Sequence, residues 1–392
     1  MKSLDEDKIE KILSRNVEDV VTKEELLKKL RSGKQLRIKH GVDVTSASLH
    51  LGHAVNYRKL REFQEMGHKV VFLIGDFTTQ IGDPTGKSKT RPELSPKEIE
   101  NNLKTYLKQA TKILINKPKV LEVRKNSEWY KKMKVSDFLG LLRKITHSKL
   151  IQRDMFQNRI KNNEEIYVHE LLYPILQGYD SFMLKSDLTI IGTDQLFNEM
   201  IGRHYQQVFG QDPQVVITTS ITPGLDGKEK MSKSLNNFVG IADSPENKFG
   251  KIMTLPDNLI GDYFLVHTNL SAAEIEETKK EKPFTAKKRL ALEIIKIYDG
   301  ASAAGKAMEN FEKTFSKKEA PADIETKKIE SGKEWADFLT EEQFAGSRSE
   351  AKRLIDGGGV DFDGARILKA NEQITKSGVA KIGKYKYIRI EV

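Results

Sequence analysis

The chain has no cysteine among its 392 residues. That excludes disulfides, thiolate nucleophiles and cysteine-ligated zinc, and it predicts a reducing, cytoplasmic setting. No apolar run approaches the length of a membrane span, so no membrane partner is expected. The first residues, Met1-Lys2-Ser3-Leu4-Asp5-Glu6-Asp7, are polar and acidic, which is not the order of a secretory leader. What the chain has in excess is positive charge. Its 66 Lys and Arg against 56 Asp and Glu give a net charge of +10, and the pI is near 9.2. That balance favours a polyanionic partner. A hydrophobic content of 38% and a charged content of 31% describe a soluble globular chain long enough for two or three domains.

Hydrophobic periodicity divides the chain. Residues 5–32 read as helical. Arg37-Ile38-Lys39-His40-Gly41-Val42 reads as a strand, followed by a helix over 53–66. Val70-Val71-Phe72-Leu73-Ile74 is a continuous apolar run, as in a strand buried on both faces. Residues 96–116 and 136–160 read as helical, and Leu188–Ile191 and Val215–Thr218 as further strands. Strands alternating with helices predict a doubly wound parallel sheet forming a nucleotide-binding domain, with ligands at the carboxyl ends of its strands. Gly41–Asp43, Gly75–Asp83, Gly192–Gln195 and residues 224–234 all fall there. Beyond residue 252 only helical spacing remains, to about residue 315, including a basic run from Lys279 to Arg289. Residues 316–328 read as a linker. A small α/β module closes the chain, with Ser349 as the expected cap of a short helix that ends at Gly357-Gly358-Gly359.

Two motifs carry chemistry. His50-Leu51-Gly52-His53 puts two imidazoles at i and i+3 at the start of a helix. Imidazole donors there, with the helix N-terminus behind them, suit phosphate oxygens. Gly52 allows a flat ring such as adenine to approach the backbone. A metal pair is the competing reading, but no third ligand stands at close spacing. Lys230-Met231-Ser232-Lys233-Ser234 lies in a loop after Gly224, Asp226 and Gly227. Ammonium groups placed there stabilise the charge that grows on a departing pyrophosphate. A solvated charge run is the bland alternative. Together the two motifs suit a site that grips a triphosphate from both ends.

This pair of motifs, in this order, is the signature of class I aminoacyl-tRNA synthetases. From about residue 30 to its end the chain resembles the bacterial tyrosyl-tRNA synthetases. Tyr173-Pro174-Ile175-Leu176-Gln177-Gly178-Tyr179-Asp180 is similar to the family's amino-acid-recognition helix. Ile81–Gly86 and Gly192-Thr193-Asp194-Gln195 match further blocks. Residues 347–359 resemble a small RNA-binding domain also found in a ribosomal protein.

The resemblance implies a tyrosine–tRNA ligase that uses ATP with Mg2+, binds tRNA(Tyr) and forms a homodimer through an insertion at about 120–190. It implies a catalytic domain over 1–225, a mobile loop and linker over 226–252, a helical anticodon-side domain over 253–325 and an RNA-binding module over 330–392. It implies that Asp180 holds the substrate phenol, that Tyr173, Gln177 and Asp83 hold its ammonium group, and that Gln195 meets the intermediate's carbonyl or the ammonium. Gly41, Asp43, Thr45, His50, Gly52, His53, Asp194, Lys230, Met231 and Lys233 would bind ATP, Asp194 through the ribose hydroxyls. Lys87 and Arg91 would assist pyrophosphate from a basic loop. Arg348, Lys352, Arg353, Lys381, Lys384 and Lys386 would meet RNA. Val44 replaces a common proline, Asn56 stands at a variable position, and Lys39 takes a place where one branch has a phenol-binding tyrosine. A tryptophanyl enzyme, a non-catalytic RNA-binding protein on the same scaffold and a small-molecule nucleotidyltransferase share parts of this pattern.

Overall fold

The computed structural model describes residues 6–44, 48–82, 95–233, 235–317, 324–383 and 386–392. Of the residues singled out above, Thr45, Asp83, Lys87, Arg91 and Lys384 lie outside them.

Six strands form the main sheet: β1 (Asp19–Val21), β2 (Arg37–Val42), β3 (Lys69–Ile74), β4 (Leu121–Lys125), β5 (Leu188–Gly192) and β6 (Val215–Thr219). Their order is β1-β6-β5-β2-β3-β4. The last five in sequence run parallel, and β1 adds an antiparallel edge with Val20 opposite Ile217. Val70 through Ile74 are all buried, as the unbroken apolar run requires of a strand covered on both faces. The chain order reverses between β2 and β5, since β3 and β4 extend the sheet on one side and β5 and β6 on the other. In such sheets the crevice beyond the strand ends at the reversal receives the ligand.

Three helices frame that crevice. Leu51–Glu65 links β2 to β3 and packs on β3 and β5. Val168–Leu184 and Leu196–Val208 lie along each other. Their closeness depends on Gly178, where a Cβ would sit 2.8 Å from Ile201 Cγ2 and 3.1 Å from the Gly202 nitrogen. This contact sets the 173–180 stretch beside residues 194–199.

The chain divides into two compact units. The first comprises the residues up to Asp243 together with Leu255–Leu290, and the second Ser244–Thr254 together with Ala291–Val392. The second contains a five-stranded sheet of β7 (Thr326–Lys328), β9 (Val360–Phe362), β10 (Ala365–Arg366), β12 (Gly378–Ile382) and β13 (Lys386–Glu391), ordered β10-β9-β12-β13-β7, plus a two-stranded pair of β8 (Lys333–Glu334) and β11 (Gln373–Ile374). Its core centres on Trp335, whose ring meets Phe338 at 5.8 Å and Phe362 at 5.2 Å.

Four expectations need correction. The helical run over 5–32 is two helices, Glu6–Ser14 and Lys23–Arg31, parted by β1. The β-branched pair Val20-Val21 joins the sheet edge, and Thr22 Oγ1 accepts from the Glu25 nitrogen to start the second helix. The run over 136–160 is three short helices, Val135–Leu142, His147–Ile151 and Asp154–Lys161, the second opened by a Thr146 cap. Within the presumed linker, Thr326–Lys328 pairs parallel with β13. Finally, helix Arg348–Asp356 is capped by Ser347, not Ser349: the Ser347 hydroxyl accepts from the Glu350 nitrogen at 3.2 Å.

Losing an N-cap costs about 1 kcal/mol, so Ser347→Ala should speed amide exchange in helix Arg348–Asp356 roughly fivefold. Ser349→Ala should leave it within experimental scatter. Hydrogen exchange read by mass spectrometry checks both.

Candidate active site

A cavity of about 350 Å3 opens at the ends of β2, β5 and β6. His50, Gly52, His53, Asp194, Lys230 and Met231 all line it. A second cavity of about 230 Å3 is lined by Lys39, Tyr173, Gln177, Asp180 and Glu199 among others. Gly41, Val42, Asp43, Ile191 and Gln195 line both cavities and form a shared wall.

Backbone pairing brings the distant motifs together. The Leu51 nitrogen donates to Val239 O at 3.0 Å and the Ile241 nitrogen to Leu49 O at 2.9 Å, with His50 bridged to Gly240. The segment that follows the lysine motif is thereby laid against the start of the histidine helix. The lysine loop is organised by Asn237, which the sequence reading passed over. Its Oδ1 accepts from the Ser232 nitrogen at 2.7 Å and its Nδ2 donates to Asp226 Oδ2 at 2.7 Å. Gly224 also donates to Glu229 O at 2.7 Å, which closes the loop's base. Lys230 reaches across the cavity to Asp194, Nζ to Oδ2 3.2 Å. Lys233 is half-buried, and desolvation lowers its pKa.

The two imidazoles meet at the helix start with centroids 3.8 Å apart and planes tilted by 47°. The His50 backbone nitrogen donates to His53 Nδ1 at 3.3 Å. Burial, then the Lys233 and Lys230 charges, lower the His50 pKa to about 4. Burial, His50 and Lys233 hold His53 well below its ordinary value. Both rings are therefore neutral at pH 7. A neutral imidazole can still donate one N–H to a phosphate oxygen, while the lysines keep the charge.

The second cavity is built from carboxylates and amides. Asp180 is buried, and its oxygens accept from Trp129 Nε1 at 3.0 Å and Asn126 Nδ2 at 3.3 Å. Neither donor was found in the sequence; Asn126 follows directly on the end of β4, the one available cue. Burial raises the Asp180 pKa to about 7, with Lys39 opposing the shift. The Tyr173 hydroxyl donates to Asp43 Oδ2 at 2.8 Å, and Thr78 Oγ1 donates to Asp43 Oδ1 at 2.9 Å. Asp43 fits there because the neighbouring position is glycine: a Cβ on Gly75 would lie 2.2 Å from Asp43 Oδ1. Gln177 Nε2 donates to Glu199 Oε1 at 2.8 Å, and Asn198 Nδ2 donates to Gln177 Oε1 at 2.7 Å.

The C-terminal candidates sit in their own unit. Arg348 pairs with Glu334 and, at 2.9 Å, with Asp337. Lys352 and Arg353 are exposed on the helix Ser347 caps. Lys381 lies over the Tyr387 ring at 5.7 Å and Lys386 over Phe344 at 4.2 Å. In the first unit, the basic run after residue 278 is largely neutralised. Lys279 and Lys280 pair with Glu276 and Glu277, Lys287 with Asp257 and Arg289 with Glu281. Among the described residues no group of three or more His, Asp or Glu could hold a metal ion, and no helix is long and apolar enough to cross a membrane.

Comparison with known proteins finds relatives over nearly the whole chain. Residues 30–316 match the family model described as class I tRNA synthetases (W and Y). The tyrosine–tRNA ligase of Thermotoga maritima is 46% identical over 388 residues, covering 97% of this chain and 96% of that protein. The tyrosine–tRNA ligase of Aquifex aeolicus is 44% identical, covering 97% of each. Among solved structures, tyrosyl-tRNA synthetase from Archaeoglobus fulgidus complexed with L-tyrosine shares the fold at a TM-score of 0.62 and 24% identity, covering 77% of this chain and 99% of that one.

A carboxyl group whose folded pKa is raised contributes stability below its unfolded pKa and loses it as pH rises through the folded value. For Asp180 that window runs from about 4 to about 7. Asp180→Asn should therefore melt higher than the unsubstituted chain at pH 8, with the difference shrinking by pH 5. Thermal unfolding at the two pH values measures it.

Proposed function

The chain belongs to the class I tyrosyl-tRNA synthetases and is a tyrosine–tRNA ligase with ATP as a substrate, and on that footing we propose how its residues divide the work. Tyrosine occupies the inner cavity and ATP the outer one, with the reacting carboxylate and α-phosphate meeting at the wall the two share. The observation that carries this reading is that common wall of Gly41, Val42, Asp43, Ile191 and Gln195.

Tyrosine is recognised at both ends. Asp180 accepts from the phenol, held for that task by Trp129 and Asn126. Phenylalanine would leave unmet the acceptor site of this buried group that Trp129 and Asn126 do not fill; tyrosyl-tRNA synthetases are the established instance of such discrimination, about 10⁵. Tyr173 and Gln177, with Asp83, take the ammonium group, and Gln195 meets the carbonyl. Asp194 takes the ribose hydroxyls, and Gly41, Asp43, Thr45 and Gly52 accommodate the rest of the nucleoside.

The tyrosine carboxylate attacks the α-phosphorus in line. The bond to the β-phosphate oxygen breaks, and pyrophosphate leaves with its electrons. A carboxylate needs no base, so the site supplies position and charge. His50 and His53 donate hydrogen bonds as neutral rings. Lys230 and Lys233, with Lys87 and Arg91, balance the charge that grows on pyrophosphate. Mg2+ enters bound to the ATP phosphates, as part of the substrate. The terminal ribose hydroxyl of tRNA then attacks the tyrosyl carbonyl and AMP departs.

The C-terminal unit meets tRNA through Lys352, Arg353, Lys381, Lys384 and Lys386, where cations over aromatic rings suit a backbone and its stacked bases. Arg348, already paired with two acids, orders the surface. A homodimer forms through residues 120–190, which expose Val135 at 76% and Val168 at 72%. The cytoplasm is its compartment, as a cysteine-free chain suits. The curated relatives named above are tyrosine enzymes, which disfavours tryptophan as the substrate.

Lys233→Ala should lower kcat for tyrosine-dependent ATP–pyrophosphate exchange about 100-fold and leave the tyrosine KM within about twofold. A raised tyrosine KM at unchanged kcat would contradict the division of the site.

A further inference from the structure

Lys39 and Glu199 form an ion pair at 2.7 Å on the wall of the inner cavity, with side chains 1% and 2% exposed. The ammonium also donates to Ser181 Oγ at 2.7 Å and to Gln177 O at 3.5 Å. Three donors thus meet three acceptors, none of them Asp180. On the other side, Glu199 Oε2 accepts from Gln214 Nε2 at 2.7 Å and Oε1 from Gln177 Nε2 at 2.8 Å.

An ionised carboxylate only accepts hydrogen bonds, so it fixes which end of the Gln177 amide faces it. The amide nitrogen must point to Glu199. Asn198 then meets the oxygen, and its Nδ2 donates also to Gln195 Oε1 at 3.2 Å. The Gln177 oxygen keeps one lone pair, an acceptor suited to a cation. Lys39 sets its positive charge directly against the Glu199 carboxylate at this depth, so neither charge is buried alone.

We propose that the buried Lys39–Glu199 pair is a positioning device for amino-acid recognition, locking the Gln177 amide so that its oxygen is the group left to meet the tyrosine ammonium. The pair acts through Gln177 and touches neither the phenol nor ATP. The proposal rests on the assignment of the inner cavity to tyrosine.

The test uses the full chain in ATP–pyrophosphate exchange with tyrosine and ATP varied separately. Glu199→Gln gives a side chain that can offer either nitrogen or oxygen to Gln177. The double substitution Lys39→Met with Glu199→Gln also removes both charges, so no lone buried charge remains to unfold the protein. Both should raise the tyrosine KM about tenfold, with the ATP KM unchanged and kcat within about threefold. Asp180→Asn serves as the control for the cavity and should raise the tyrosine KM on its own. A folded double variant with an unaltered tyrosine KM, beside an Asp180→Asn variant whose KM rises, would overturn the role of the pair. A fall in kcat alone would overturn it as well, since a merely structural pair behaves that way. If Asp180→Asn too kept the original KM, the cavity assignment would fall and take the proposal with it.

Discussion

The short backbone ladder between residues 49–51 and 239–241 is the contact on which the cleft depends. A parallel sheet delivers several loops to one edge, but that alone does not bring a loop near residue 230 against a helix that begins at residue 51. Two amide–carbonyl bonds, which together make the His50–Gly240 bridge, do so, and they involve no side chain of either motif. Each such bond contributes only about 1 kcal/mol net. Their worth is geometric, since they set the register between two segments separated by most of the first unit.

The electrostatics follow from that placement. Burial and nearby lysines keep the histidines neutral, so the outer cavity sets neutral imidazoles beside Lys230 and the carboxylates of Asp43 and Asp194. The inner cavity is lined by Asp43, Asp180 and Glu199 and by one buried ammonium, that of Lys39, which pairs with Glu199. Asp180 is held at a cost to the fold, because its burial penalises the ionised form that a phenol would favour. Trp129 and Asn126 offset part of that cost.

Much of this was legible in the sequence, for reasons that differ by element. The unbroken apolar run of β3 can hardly be anything but a strand covered on both faces, and the glycine and aspartate clusters marked the strand ends. The histidine motif was visible because no other two histidines of the chain stand three apart, and the lysine motif because it follows the turn-forming Gly224, Asp226 and Gly227. The helices over 5–32 and 136–160 were over-extended because helical periodicity does not register a two-residue β-branched break or a threonine cap. Trp129 and Asn126 were missed because their role exists only once β4 is laid beside β3. Asn237 and Glu199 were missed for a related reason: a buried amide or carboxylate has meaning only through its partners, and those lie on other elements. The basic run after residue 278 misled in the opposite direction, since acids brought close by folding neutralise most of it.

The central claim is that adjoining cavities hold the amino acid and the nucleotide so that one bond can form at their common wall. A crystal structure with a non-hydrolysable tyrosyl-adenylate analogue tests it most directly. The phenol oxygen should lie about 3 Å from an Asp180 carboxylate oxygen, the phosphoryl mimic beside Asp43 and Gln195, and the ribose hydroxyls on Asp194. An analogue bound with its phenol ring in the outer cavity, or wholly on one side of the wall, would contradict the account.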